Sequence, residues 1–144
     1  MEQDAQSTKP ITKAEYQRLA AIRYTIRKFL RFSEQASRSA GLTPQQHQAL
    51  LAIKGQTTDE RATITELAEW LQLEHHTVVE LVDRMVAAGL VRREPNPKDR
   101  REVLVSLTPQ GEELLRRLST VTRDELRRLA PTLRDMLARL EKAD

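Results

Sequence analysis

Residues 63–107 read TITELAEWLQLEHHTVVELVDRMVAAGLVRREPNPKDRREVLVSL, and changes of pattern inside this stretch decide the fold. Thr63-Ile64-Thr65-Glu66 has the spacing of a capping box, in which the threonine hydroxyl meets an amide three residues on and the glutamate reaches back. A short helix is therefore predicted over Ile64 to Leu71, with Leu67 and Ala68 inward. After a turn near Gln72 to Glu74, Val78, Val82 and Met85 recur at i, i+4 and i+7, the stripe of a second helix, and Gly89 stands where such a helix takes its left-handed C-terminal residue. Two helices joined by a tight turn form a helix-turn-helix unit. Beyond it the period changes. Leu90-Val91-Arg92-Arg93 is too short for a helix and Val103, Val105 and Leu107 alternate, so a β-hairpin is predicted with Pro95-Asn96-Pro97-Lys98-Asp99 at its tip.

Helices flank this centre on both sides. Leu19, Ile22, Ile26, Phe29 and Leu30 recur at helical spacing between Thr12 and about Ala40, predicting one helix about 40 Å long. Gly41 ends it. Thr43-Pro44-Gln45-Gln46 then starts another helix, with an N-cap threonine, proline in the first turn and glutamine three residues after the cap; it runs through Leu50, Leu51 and Ile53 to Gly55. Gln56 to Ala62 reads as a polar loop. On the other side, Thr108-Pro109 opens a helix carrying Leu114, Leu115, Leu118, Val121, Leu126 and Leu129; Pro131 is expected to break or kink it, and Leu133, Met136, Leu137 and Leu140 mark a last helix. Met1 to Lys9 is polar, without periodicity, and expected to be loose. The fold class is thus mainly α with a small β-hairpin wing: a winged helix-turn-helix with terminal helices.

Composition narrows the function. The 144 residues suit one domain, and a chain this long can bury a core without metal or disulfide staples. There is no cysteine, which removes disulfides, thiolate catalysis and every cysteine-based zinc site. No apolar run approaches the roughly 18 residues that cross a bilayer, and the chain opens on an acidic, polar segment, so no membrane association and a cytoplasmic location are expected. No Gly-rich phosphate loop, paired histidine and carboxylate at ligand spacing, or nucleophile setting around any serine appears, so no enzyme, metal or cofactor is predicted. Eighteen of the 24 basic residues are arginine, the side chain whose planar fork suits phosphates and base edges. Leu90 to Arg101 holds five basic against two acidic side chains, a local +3 that matches the net charge of the whole chain.

A helix-turn-helix beside a cationic hairpin points to double-stranded DNA: the second helix fits the major groove and the hairpin reaches phosphates or the adjacent minor groove. The residues exposed at the start of that helix are His75, His76, Thr77 and Glu80, opposite Val78 and Val82. A carboxylate aimed at a polyanion is repelled unless it accepts from a specific donor, which in the major groove is cytosine N4. Glu80 therefore either discriminates at one base pair or pairs with Arg84 as ordinary surface. In the hairpin tip, Asp99 is placed to hold an arginine extended, which makes it the wing-orienting residue and Arg100 and Arg101 the DNA contacts. A second reading is a nonspecific architectural DNA-binding protein, against which the modest +3 and Glu80 both argue.

The ordered set Leu42-Thr43-Pro44-Gln45-Gln46, Thr63-Ile64-Thr65-Glu66-Leu67-Ala68, Thr77 to Arg84, Gly89-Leu90-Val91-Arg92-Arg93, Asp99-Arg100-Arg101 and Val105-Ser106-Leu107-Thr108 resembles the MarR (multiple antibiotic resistance regulator) family of bacterial transcription factors. Asp99 and Arg101 match the family's Asp-x-Arg wing pattern. The resemblance implies a homodimer that binds a pseudo-palindromic operator, represses nearby genes and is released by a small, often aromatic anion. It divides the single chain 1–144 into a dimerisation region, 12–40 and 109–142, and a DNA-binding region, 42–108. It places a candidate effector pocket between the first, second and fifth helices, near Tyr24, Arg31, Glu34 and His47. Some relatives carry arginine where Glu80 stands, so their operator sequence does not transfer. The cysteine-based sensing of part of the family is closed to this chain, and His47 has no partner at metal-ligand spacing.

Overall fold

A computed structural model describes residues 9–142; the expectation for the amino terminus falls, at residues 1–8, outside them. The element order is α1 (Lys13–Ser39), α2 (Pro44–Gln56), β1 (Arg61–Thr63), α3 (Ile64–Leu71), α4 (His75–Ala87), β2 (Val91–Pro95), β3 (Val103–Leu107) and α5 (Pro109–Glu141). The chain divides into two compact units, residues 33–122 and the pair of segments up to 32 and from 123.

The 33–122 unit is built on caps and one core. Thr43 and Thr63 each open a helix with a complete capping box: the Thr43 hydroxyl accepts from the Gln46 amide at 3.1 Å, and Glu66 Oε1 accepts from the Thr63 amide at 3.0 Å. Gln72 and Gly89 adopt left-handed backbone after α3 and α4. In both, the following amide reaches back to the last turn, Leu73 to the Ala68 carbonyl at 3.0 Å and Leu90 to the Met85 carbonyl at 2.9 Å. Leu50, Ile53, Leu67, Val78, Val82, Met85, Leu90 and Val105 are buried together, so α2, α3, α4 and the sheet share one apolar centre. The sheet is antiparallel in the order β1-β3-β2, with Ala62 opposite Val105 and Arg93 opposite Val105 on the other side.

Two expectations change. The polar stretch before α3 ends in a strand, β1, whose backbone pairs with β3 and makes the wing a three-stranded sheet. Pro131 does not divide the last helix: α5 runs unbroken from Pro109 to Glu141 with the proline inside it. A proline costs one backbone hydrogen bond and a local clash, a few kcal/mol, and the apolar stripe on either side continues the helix through it.

The other unit comprises α1 up to residue 32 and α5 from 123. Ile22 and Thr25 are buried, and the Thr25 hydroxyl donates to the Ala21 carbonyl at 2.9 Å and lies 3.6 Å from Met136 Sδ. Leu19, Ile26 and Leu30 on α1 and Leu126, Leu137 and Leu140 on α5 are all exposed. Among the described residues no helix is long and apolar enough to cross a membrane.

Candidate nucleic-acid interface

Burial fixes which way α4 faces. Val78, Leu81, Val82 and Met85 lie in the core, which turns His75, His76 and Glu80 outward and leaves Thr77 half-exposed. No side chain caps α4, because Glu74 at the cap position makes no such hydrogen bond, so the first amides of the helix stay available to an anion. Glu80 forms no ion pair with Arg84 among the described residues; the two carry opposite charges on the same exposed helix without meeting.

The hairpin tip is organised by its short polar side chains. Asn96 Oδ1 accepts from the Lys98 amide at 3.0 Å and Asp99 Oδ1 from the Arg101 amide at 3.0 Å, two turns that mimic backbone hydrogen bonds. The same Asp99 oxygen lies 3.3 Å from Arg101 Nε, which ties the guanidinium at its root and leaves its two terminal nitrogens free. The Arg101 side chain is 91% exposed. Arg92, Lys98 and Arg100 form no ion pair among the described residues, so most of the hairpin's positive charge faces solvent uncompensated.

Arg93 differs from its neighbours. Strand alternation puts it on the opposite face of β2 from Arg92, and it pairs there with Asp83 of α4. On the other face Glu94 accepts from Ser106 Oγ at 3.0 Å and lies 3.7 Å from an Arg61 guanidinium nitrogen. Counting the charges of the hairpin does not reveal this; the alternation from Val91 to Arg93, with Asp83 ten residues earlier at the end of a helix, carries the signal.

The residues named for an effector differ in exposure. Tyr24 and Arg31 are exposed, and the Lys28 ammonium sits 5.2 Å from the Tyr24 ring centre. Glu34 is exposed, whereas His47 is buried with its Nδ1 2.8 Å from Ser37 Oγ. The Ser37 hydroxyl has one hydrogen and gives it to the Ser33 carbonyl at 2.9 Å, so His47 Nδ1 is the donor in the shared bond. Burial alone pulls the His47 pKa below its ordinary value. Among the described residues no group of histidines and carboxylates could hold a metal ion.

A helix pair joined by a left-handed turn, with its second helix facing outward, and a three-stranded wing with an exposed arginine define a winged helix-turn-helix protein. Residues 40–102 match the model of the MarR family. The multiple antibiotic resistance protein MarR of Salmonella typhimurium is 41% identical over 49 residues, 34% of this chain and 34% of that protein, so the alignment spans about a third of the curated relative's length. The whole fold is similar to AbsC, a MarR family transcriptional regulator from Streptomyces coelicolor (TM-score 0.72, 25% identity, 84% of this chain and 81% of that one). It is also similar to a mutant MarR from E. coli complexed with operator DNA (TM-score 0.64, 25% identity, 85% and 92%). The chain thus has the winged-helix fold of MarR-family structures, and within it residues 40–102 match that family's model.

Proposed function

We propose that this protein is a sequence-specific DNA-binding transcriptional regulator of the cytoplasm, a homodimeric repressor of a pseudo-palindromic operator. The observation that carries the reading is Arg101, 91% exposed at the tip of the wing yet bonded at its root to Asp99. A long cationic side chain in open solvent normally wanders. One held extended loses less entropy on entering a narrow minor groove, whose negative potential favours arginine. On the same unit, α4 offers Thr77 and His76 to phosphate or base edges, and Glu80 to a cytosine amino group. The unpaired state of Glu80 supports the discriminating role, since no neighbour in its own helix neutralises it. Two such units would read half-sites about one turn, roughly 34 Å, apart. The exposed leucines of α1 and α5 support the dimer, because apolar stripes of that extent on a soluble chain mark a partner surface.

Release by a small, aromatic or anionic effector is the family's contribution to this reading. It requires only that the ligand favour the DNA-incompetent conformation, and a coupling of about 1 to 3 kcal/mol gives a 5- to 150-fold change in affinity. Tyr24, Arg31, Glu34 and His47 are the positions to vary first.

The test is selection of genomic fragments by the purified protein at about 150 mM salt, where charges are screened beyond about 8 Å. Retention of a palindrome with half-sites one turn apart is expected, together with a log-log salt slope of about 0.9 per phosphate neutralised. Uniform retention of all duplexes would favour the architectural alternative, and a flat salt response would remove the wing from the interface.

A further inference from the structure

We propose that Asp83 is a positioning residue: by clamping Arg93 it fixes the angle between α4 and the wing, so that both engage one duplex together. The inference rests on the DNA-binding reading above. Only Ala88–Leu90 join α4 to β2, and the left-handed Gly89 in this link sets the direction of the exit. Direction alone does not fix how far the hairpin swings about that point. Among the described residues, the Asp83–Arg93 pair is the one side-chain polar bond between α4 and the hairpin. The opposite face of the hairpin is braced separately, through Glu94 to Ser106 and Arg61. Asp83 also shares a helical face with His76 and Glu80, at i+7 and i+3, so the clamp acts on the strip of α4 that carries the candidate base contacts. An ion pair this exposed adds little to stability, because solvent screens it and ordering two side chains costs entropy. Its effect is on orientation.

Electrostatics makes the proposal sharp. Replacing Asp83 by Asn removes a negative charge beside a polyanion and frees Arg93 for phosphate, so charge alone predicts tighter binding. The clamp predicts the reverse. For Asp83→Asn and Arg93→Gln we expect operator affinity relative to random duplex to fall about tenfold, the range of coupled neighbouring side chains, with loss of minor-groove protection at the wing. The exchange Asp83→Arg with Arg93→Asp restores the pair and should return most of that affinity; melting temperature should barely move throughout. Equal or tighter binding by Asp83→Asn, or no rescue by the exchange, would overturn the clamp and leave DNA binding intact. If the unaltered protein retains no duplex, the DNA reading itself fails. A readout without DNA then decides the geometric part. The chain has no cysteine, so Val79→Cys and Lys98→Cys label one helix and one wing position cleanly. Their spin-label distance distribution should be narrow with Asp83, broad with Asp83→Asn and narrow again in the exchange. An unchanged width in Asp83→Asn would overturn it.

Discussion

Protonating His47 would place a charge on a buried side chain whose Nδ1 is already engaged with Ser37. The folded state therefore holds the neutral ring to lower pH than the unfolded chain does, whose imidazole titrates near 6.5. Below that value the unfolded state binds the extra proton first, so stability is complete at neutral pH and lost as pH falls toward the depressed folded value. Each unit of difference is worth about 1.4 kcal/mol. His47→Asn keeps an amide donor near the Nδ1 position but cannot titrate; it should melt lower at neutral pH, yet lose less than the parent between about pH 7.5 and 5.5. Parallel melting curves for the two would remove His47 as the titrating group. At the candidate DNA contacts the expected outcomes differ in kind. Arg101→Ala should weaken all duplexes and lower the salt slope by about one contact. Glu80→Ala should relax preference at a single base pair, a discrimination of about 1 to 3 kcal/mol, measured by competition among operators altered one position at a time.

Elements meet closely where α5 begins. A Cβ added to Gly111 would lie 2.1 Å from the Leu90 carbonyl oxygen, which belongs to the link between α4 and the wing. That carbonyl also accepts from the Thr108 amide at 3.0 Å, and the Thr108 hydroxyl donates to the Gly89 carbonyl at 2.6 Å. Backbone cannot step aside as a side-chain tip can, so Gly111→Ala should destabilise the protein by about 1 to 3 kcal/mol or more, read by denaturant unfolding; a neutral result would mean the elbow is looser than it looks. This joint also shows what a linear reading can reach. Gly89 was legible because a helix stop needs a left-handed residue whatever surrounds it, and the wing strands because Val103, Val105 and Leu107 alternate. β1 was not, since three residues with one buried side chain carry no period; it exists only because β3 offers an unpaired edge. Pro131 misled for the opposite reason: a strong local rule predicts a stop, yet the helix of 33 residues runs through it. In the candidate interface, Asp99 beside Arg101 declared itself by adjacency, whereas the partnership of Arg93 with Asp83 depends on how a strand leaves a helix.

At the scale of the whole molecule the decisive quantity is how many chains act together. Leu19, Ile26 and Leu30 repeat along α1, and Leu126, Leu137 and Leu140 along α5, every one at least 40% exposed. Each leucine left in water forgoes about 1.5 to 3 kcal/mol of burial, and a stable interface takes about 1,200 to 2,000 Å² in total. These stripes would supply the apolar part of such a surface. The protein should therefore sediment at twice its 16.6 kDa chain mass. Leu137→Glu, placed on a residue 49% exposed, leaves the buried core untouched and puts a charge where a second chain would sit. It should give a folded monomer, with helix content and the wing intact. If a two-fold dimer reads the operator, that monomer also loses the advantage of holding the second half-site nearby, an effective concentration that can raise affinity by about 10² to 10⁴. Operator binding should collapse by a factor in that range while affinity for an isolated half-site stays unchanged. A Leu137→Glu protein that stays dimeric would place the partner surface elsewhere, and one that is monomeric yet binds the full operator as tightly as the parent would separate dimerisation from recognition.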